Sequence, residues 1–473
     1  MTEKKAGLSE STFWYTLGNL LIRSVSFLLL PLYSNLISTD DFGRYSLLMA
    51  FYTIAAVFYQ SGLTSALTKF YLDSGDENYR RKIFSTVVNL ILLIGVSLTI
   101  LASAFSADIS YLILSSEKFS GLVLLTLVTL FIESLVTTVL QLLKTKELSR
   151  EAVSFAAISA VTNLLLNILL VYYLGWGIKG IIAAQLLSAL FVSIFLIPTI
   201  RKEYIFSFET PIVKSILTFS YPLIAAGILS TAVDVIDRFI INYYFGEETT
   251  GIYSFSYKIA LVMNVFVISM RTAWTPHSIR LFRSGVYSDI YGKVLTKIIA
   301  VSSVIFLATS LLAGDLFNYT FNGKNLFNPS YQGGVIIIPI VLIAYGFNAL
   351  AGFYATYPFI KGKSSYFFYV DLLALVFNLL FNYLLIPKFG IVGAAIATLI
   401  SYCAGFMFYF IISYKKLRIN YQLNKILQTL IVTSIAYFIC SLVNKIYFDL
   451  IIVVMVVYIF KRITSLDFRF GKE

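Results

Sequence analysis

Apolar runs recur along this chain from Thr12 to Phe460, each close to the length of a membrane crossing and separated by short polar connections. A helix spanning the hydrocarbon core needs about 20 predominantly apolar residues. The first half supplies seven candidates: Thr12 to Leu36, Tyr45 to Lys69, Ile83 to Phe105, Ser120 to Leu143, Val153 to Leu174, Ile178 to Pro198 and Val213 to Phe245. The second half supplies Gly251 to Trp274, Val294 to Ala313, Val335 to Ile360, Tyr366 to Ile386, Ile391 to Tyr414, Ile426 to Val443 and Phe448 to Phe460, the last being the shortest. The pattern predicts an all-α integral membrane protein of about fourteen transmembrane helices. The first run is too long for a signal-peptide core, carries Arg23 within it and has no small-residue cleavage site after it, so it is expected to remain in the mature chain.

The connections divide by charge. Taken alternately, one set holds 26 lysines and arginines and the other 6, with four more inside spans. Because cytoplasmic loops are enriched in Lys and Arg, this phase predicts that both termini are cytoplasmic. An invented or missing span would have broken the alternation. The longest outer connection, Gly314 to Gly334, has 21 residues, too few for a folded catalytic domain. The chain is therefore not expected to be an enzyme.

Composition narrows the function classes further. The apolar set makes up 59% of the 473 residues and charged residues 13%, about half the usual charged share of a soluble domain. The net charge of +12 is spread over short loops rather than gathered on one face, which argues against nucleic acid as a partner. Cys403 and Cys440 both fall in apolar segments, where a thiol behaves as a small hydrophobe. His277 is the single histidine, so no metal site is expected. Gly362-Lys363-Ser364 resembles the end of a phosphate-binding loop, but Tyr357 occupies the earlier glycine position. No cofactor is expected.

A repeat runs through the chain. Asn163-Leu-Leu-Leu-Asn167 followed by Gly177-Ile-Lys-Gly180 returns as Asn378-Leu-Leu-Phe-Asn382 followed by Gly390-Ile-Val-Gly393, offset by 213 to 215 residues. Phe42-Gly43-Arg44-Tyr45-Ser46 returns as Thr250-Gly251-Ile252-Tyr253-Ser254, offset by 208. Spans one to six thus correspond to spans seven to twelve. An even number of helices per repeat keeps the repeats parallel, with a substrate site expected near midplane between the halves. The expected organisation is two parallel six-helix lobes, residues 1–205 and 206–420, and a two-helix C-terminal appendage with a cytoplasmic tail, residues 421–473.

Ionisable residues inside spans cost about 2.5–3.5 kcal/mol at a helix centre, so they face protein or a wet cavity and often mark function. Eight qualify: Arg23, Glu133, Asp234, Asp237, Arg238, Lys258, Arg271 and Asp371. Thr16, Asn19, Arg23 and Ser26 form one polar stripe at helical spacing, and Arg23 lies roughly 16 Å into its span. It fits either a packing partner for a carboxylate or a phosphate-attracting lining. Thr231, Asp234, Arg238 and Asn242 repeat the stripe, with Asp237 beside them; Asp234 and Arg238, four apart, can also pair within the helix. Lys258 is open to a structural or a substrate role. Arg271, near the cytoplasmic end of its span, is expected to contact lipid headgroups. Glu133 and Asp371 are candidates for proton or cation coupling, or for buried partners of Arg23.

Several segments, in this order and spacing, resemble the polysaccharide biosynthesis and export family, the Wzx-type O-antigen or capsule repeat-unit flippases of the MOP superfamily, whose relatives include the MATE antiporters and MurJ. They are Ser38-Thr-Asp-Asp-Phe-Gly43-Arg-Tyr45-Ser46, Phe219-Ser-Tyr-Pro222-Leu223, Asp237-Arg238-Phe-Ile-Ile241 and Gly251-Ile-Tyr253-Ser-Phe-Ser-Tyr-Lys258-Ile259, together with the paired asparagines above. The resemblance implies a bacterial inner-membrane flippase that moves an undecaprenyl-pyrophosphate-linked glycan between leaflets by alternating access. Glycan polymerase and assembly enzymes would be its partners. An anionic pyrophosphate would be met by Arg23, with Asn19, Asp234, Asp237, Arg238 and Lys258 as further substrate-site candidates. Two other readings stay open: a cation-coupled drug antiporter of the MATE type, and a non-transporting scaffold for glycan assembly.

Overall fold

The computed structural model describes residues 18, 25–285, 287–321, 323–363, 365–443 and 446–464. Asn19 and Arg23, the predicted head of the first polar stripe, lie outside the described residues. Within them the first span appears as α1, Val25–Leu36. There follow α2 (Thr39–Gln60), α3 (Leu63–Asp73), α4 (Glu77–Ala104), α5 (Ser106–Leu114), α6 (Ser120–Thr145), α7 (Ser149–Asn167) and α8 (Gly177–Glu203). The second half comprises α9 (Thr210–Ala260), α10 (Val262–Ser284), α11 (Ser288–Asn318), α12 (Ile338–Tyr354), α13 (Thr356–Ile360), α14 (Ser365–Leu417), α15 (Leu423–Val443) and α16 (Ile446–Thr464). Two-residue strands, Thr320–Phe321 and Lys324–Asn325, pair antiparallel beyond α11.

The predicted spans all reappear where residues are described, with differences that have local causes. The second span is broken into α2 and α3 because Ser61 and Gly62 both take left-handed φ, 45° and 67°. A Cβ on Gly62 would come within 3.0 Å of the Ser220 carbonyl, so the break also lets α9 approach. The fifth span finishes in a π-helical turn, Ile168–Tyr173. The long α14 holds two predicted spans joined at a non-helical glycine, Gly390 (φ 55°), while α9 holds one and, beyond the non-helical Gly246 (φ 79°), the start of the next, which continues into α10. The shortest prediction, Phe448 to Phe460, extends to the 19 residues of α16, about 28 Å at 1.5 Å per residue. The 9-residue α5 was not anticipated. Starts are set by side-chain caps: Ser38 accepts from the Asp41 amide at α2, and Asp76 accepts from the Asn78 and Tyr79 amides at α4.

The chain forms two compact units, Met1–Phe239 and Ile240–Glu473, divided inside α9. In the first, a core that includes Leu67, Phe84, Ile91, Leu142, Val192 and Ile216 joins α3, α4, α6, α8 and the start of α9. In the second, α12 packs on α10, α11 and α14, and α15 and α16 pack against α11 through a cluster containing Leu307, Ala436, Val456 and Phe460. Apolar side chains also face outward along the helices, among them Leu93, Ile100, Ile194, Ile411, Leu442 and Val454. Such an outward face suits lipid as solvent.

Polar residues within spans are mostly satisfied locally. On α6 the hydroxyls of Thr126, Thr129, Ser134, Thr138 and Thr145 each donate to the carbonyl four residues back, at 2.7–2.8 Å, so they need no partner from another helix. The segment linking α8 to α9 is strapped down. Lys146 pairs with Glu203 at 2.5 Å and Lys82 with Glu209 at 2.6 Å. The Tyr204 hydroxyl donates to Asn89, and the Ile205 amide to the Ser85 hydroxyl, both at 2.9 Å.

Candidate functional site

With most of its hydroxyls folded back, α6 turns two polar side chains to other helices: Gln141, which donates to the Thr68 hydroxyl of α3 at 2.9 Å, and Glu133. Glu133 is the fourteenth of its 26 residues, roughly 20 Å from either surface-facing end of the helix. Its carboxylate accepts from the Tyr52 hydroxyl of α2, and the same oxygen accepts from the Gln185 amide of α8 at 3.2 Å. Three helices therefore converge on one half-buried carboxyl group. Such a group can hold or release a proton without losing its two neutral donors.

A second cluster uses the first of the paired asparagines. Asn167 donates to the Asn163 backbone and side-chain oxygens at 2.9 and 3.1 Å, and accepts from the Tyr33 hydroxyl of α1 at 2.8 Å. The repeat reproduces the asparagine pair in the second unit, where Asn382 donates to the Asn378 side chain at 2.8 Å. The glycine pair that follows is reproduced as well. Gly177 and Gly390 both take left-handed φ, 52° and 55°. A Cβ on Gly180 or Gly393 would meet the carbonyl of Leu170 or Leu385, at 3.2 and 2.4 Å. The spacing motif therefore encodes a tight turn followed by a close helix contact, twice.

On α9, Asp237 is 1% exposed. Its carboxylate takes the Arg238 amide at 2.8 Å and the Arg238 guanidinium at 3.2 Å, while the guanidinium also reaches the Asp234 carbonyl at 2.5 Å. The i,i+4 contact expected between Asp234 and Arg238 thus runs through the Asp234 backbone, and Asp237 supplies a carboxylate. Asp234 itself is exposed, and Lys258 is half-buried near the end of α9.

In the second unit, Arg271 of α10, the headgroup candidate, is exposed and also tied to a neighbouring helix. Its guanidinium donates to the Asn348 carbonyl and side chain on α12, at 2.9 and 2.6 Å. Gly352 makes room for it: a Cβ there would lie 2.3 Å from the Arg271 Nε. Asp371, a coupling candidate, and Arg271 both lie near enough to Tyr409 to act on it electrostatically. Tyr52, Gln185, Tyr33 and Asn348 were missed from sequence because they carry no charge. Among the described residues no group of three or more His, Cys, Asp or Glu could hold a metal ion.

These features define an integral membrane protein with paired repeats and charged groups inside its spans, and comparison gives that class a name: the fold is that of MOP-superfamily transporters. The structure of the lipid II flippase MurJ, inward closed, superposes with a TM-score of 0.78 at 17% identity, covering 96% of this chain and 98% of that one. An inward-facing MATE multidrug transporter of the MOP superfamily gives 0.69 at 15% identity, covering 85% and 98%. A putative O-antigen transporter of Shigella flexneri is 23% identical over 372 residues, 76% of this chain and 86% of the relative. Residues 8–282 match the sequence profile described as polysaccharide biosynthesis protein, and the chain belongs to that family.

Proposed function

We propose that this protein is a flippase that carries an undecaprenyl-pyrophosphate-linked oligosaccharide repeat unit from the cytoplasmic to the outer leaflet of a bacterial inner membrane, by alternating access. The reading is carried by one observation: a member of a polysaccharide biosynthesis family bears fixed ionic and carboxyl groups within its spans, notably the Asp237–Arg238 pair and Glu133. A lipid-linked pyrophosphate entering such spans needs charge-assisted bonds to offset its lost hydration. Arg23, Asn19, Asp234, Asp237, Arg238 and Lys258 are the proposed substrate contacts, and Glu133 and Asp371 the proposed coupling groups. The working lobes are residues 1–205 and 206–420, with 421–473 as the appendage, and polymerase and assembly enzymes receive the product. The wider coverage of this chain by the MurJ structure than by the MATE structure supports a lipid-linked cargo over a soluble drug.

The test is export of surface glycan in a strain lacking its own flippase. Wild-type protein is expected to restore export, while Arg23→Ala and Arg238→Ala at matched membrane levels are expected to lose at least tenfold. No rescue with any glycan, together with proton-linked efflux of cationic dyes, would make it an antiporter. Rescue that ignores both substitutions would remove Arg23 and Arg238 from the substrate contacts, and no rescue without dye efflux would leave a scaffold.

A further inference from the structure

We propose that Lys118 and Lys179, at the N-terminal ends of α6 and α8, hold the phosphate of an anionic phospholipid whose acyl chain lies along Leu122, Leu125 and Val128. The two lysines and these three side chains, with Gly121, line one recess of about 470 Å³. Leu122, Leu125 and Val128 recur at helical spacing on α6, so the apolar floor runs about 9 Å along the helix from its end. The charges sit at one end of the recess and hydrocarbon fills the rest, the polarity of a lipid rather than of a free ion.

The electrostatics are one-sided. Among the described residues neither lysine has a carboxylate within salt-bridge distance, and neighbouring Glu117 makes no ion pair. α8 has neither an acidic residue in its first turn nor a side-chain cap, whereas α2 and α4 have both, as does the turn Glu117–Phe119 that leads into α6, through Glu117 and Ser116. The uncapped end of α8 therefore adds to the two ammonium groups. The Lys179 ammonium lies 5.9 Å from the Trp176 ring, a pairing at home at a membrane interface. A zwitterionic headgroup would bring its own cation against these lysines; an anionic one would not. On the orientation expected from the loop charges, this lipid belongs to the outer leaflet. The proposal does not depend on what the protein transports.

The test is native mass spectrometry of the full chain in detergent, titrated with phosphatidylglycerol or phosphatidylcholine. Wild-type protein should retain one phosphatidylglycerol at a concentration at least tenfold below that for phosphatidylcholine. Lys118→Gln/Lys179→Gln should lose that one lipid, Lys118→Arg/Lys179→Arg should keep it, and Leu125→Trp, which fills the trough and leaves every charge, should lose it too. Equal retention of the two lipids, or wild-type binding by both the glutamine pair and Leu125→Trp, would overturn the proposal. So would inorganic phosphate binding that Leu125→Trp does not alter, which marks a free-anion site. A chain dimer that only the lysine substitutions dissolve would assign the recess to a second copy instead.

Discussion

At the scale of single residues, the arrangement around Glu133 separates a structural role from a transport role. Tyr52 and Gln185 donate to one oxygen of the carboxyl group, so Glu133→Gln preserves a neutral acceptor in the same place while removing the charge. An ionised group deep in a span costs on the order of 2.5–3.5 kcal/mol on insertion scales, so this substitution is expected to leave thermal stability in detergent unchanged or raised. If Glu133 couples transport to a cation, glycan export falls at least tenfold in the same variant. A parallel loss of melting temperature and export would assign the carboxyl group to packing. Sequence singled out Glu133 because a carboxylate in an apolar run is conspicuous. It could not find Tyr52, 81 positions away, because an uncharged phenol among many aromatic residues carries no comparable penalty and no local signature.

At the scale of elements, the paired Asn and Gly motifs were legible because each does a backbone job that other residues do poorly. Positive φ at Gly177 and Gly390 costs a residue with a Cβ about 1–3 kcal/mol, and the second glycine of each pair leaves little room for a side chain. Gly390→Ala, at φ 55° and ψ −133°, is therefore expected to cost about 1–3 kcal/mol. Gly393→Val, forced against the Leu385 carbonyl, should cost at least the roughly 1–3 kcal/mol of an overpacked core. Differential scanning fluorimetry of the purified protein ranks them: a Gly393→Val melting temperature equal to wild type would mean that α14 does not make this contact. The break between α2 and α3 was not legible, because Ser61-Gly62 sits in an otherwise continuous apolar run and its cause, the approach of residues 220 and 223, is remote in sequence. The π turn after α7 and the short α5 also escaped, the first because it keeps an apolar helical pattern and the second because nine residues are too few to register as a span.

At the scale of the whole molecule, span number and orientation rest on the same arithmetic, and only the first has a structural counterpart. Helices α1 to α16 account for the fourteen predicted crossings once α2 with α3, and the part of α9 beyond Gly246 with α10, are each counted as one, α14 is divided at its glycine, and α5 and α13 are left as surface pieces. Which side each connection faces follows from the 26 to 6 division of basic residues, since Lys and Arg near span ends are held on the cytoplasmic side. On that division the connection between α3 and α4 is expected to be cytoplasmic, and the turn between α5 and α6 to face outward. Both can be read with single cysteines in a background where Cys403 and Cys440 are replaced by Ala, because Gly75 has open space for a side chain and Ser115 is exposed. An impermeant maleimide added to intact spheroplasts is expected to label Ser115→Cys and not Gly75→Cys, with the second labelled only after the membrane is opened. The reverse pattern would invert the orientation and move the Lys118–Lys179 recess to the cytoplasmic leaflet. Labelling of both positions from outside would mean that an odd number of crossings does not separate them, which would remove a span from the first unit and take the six-helix repeat with it.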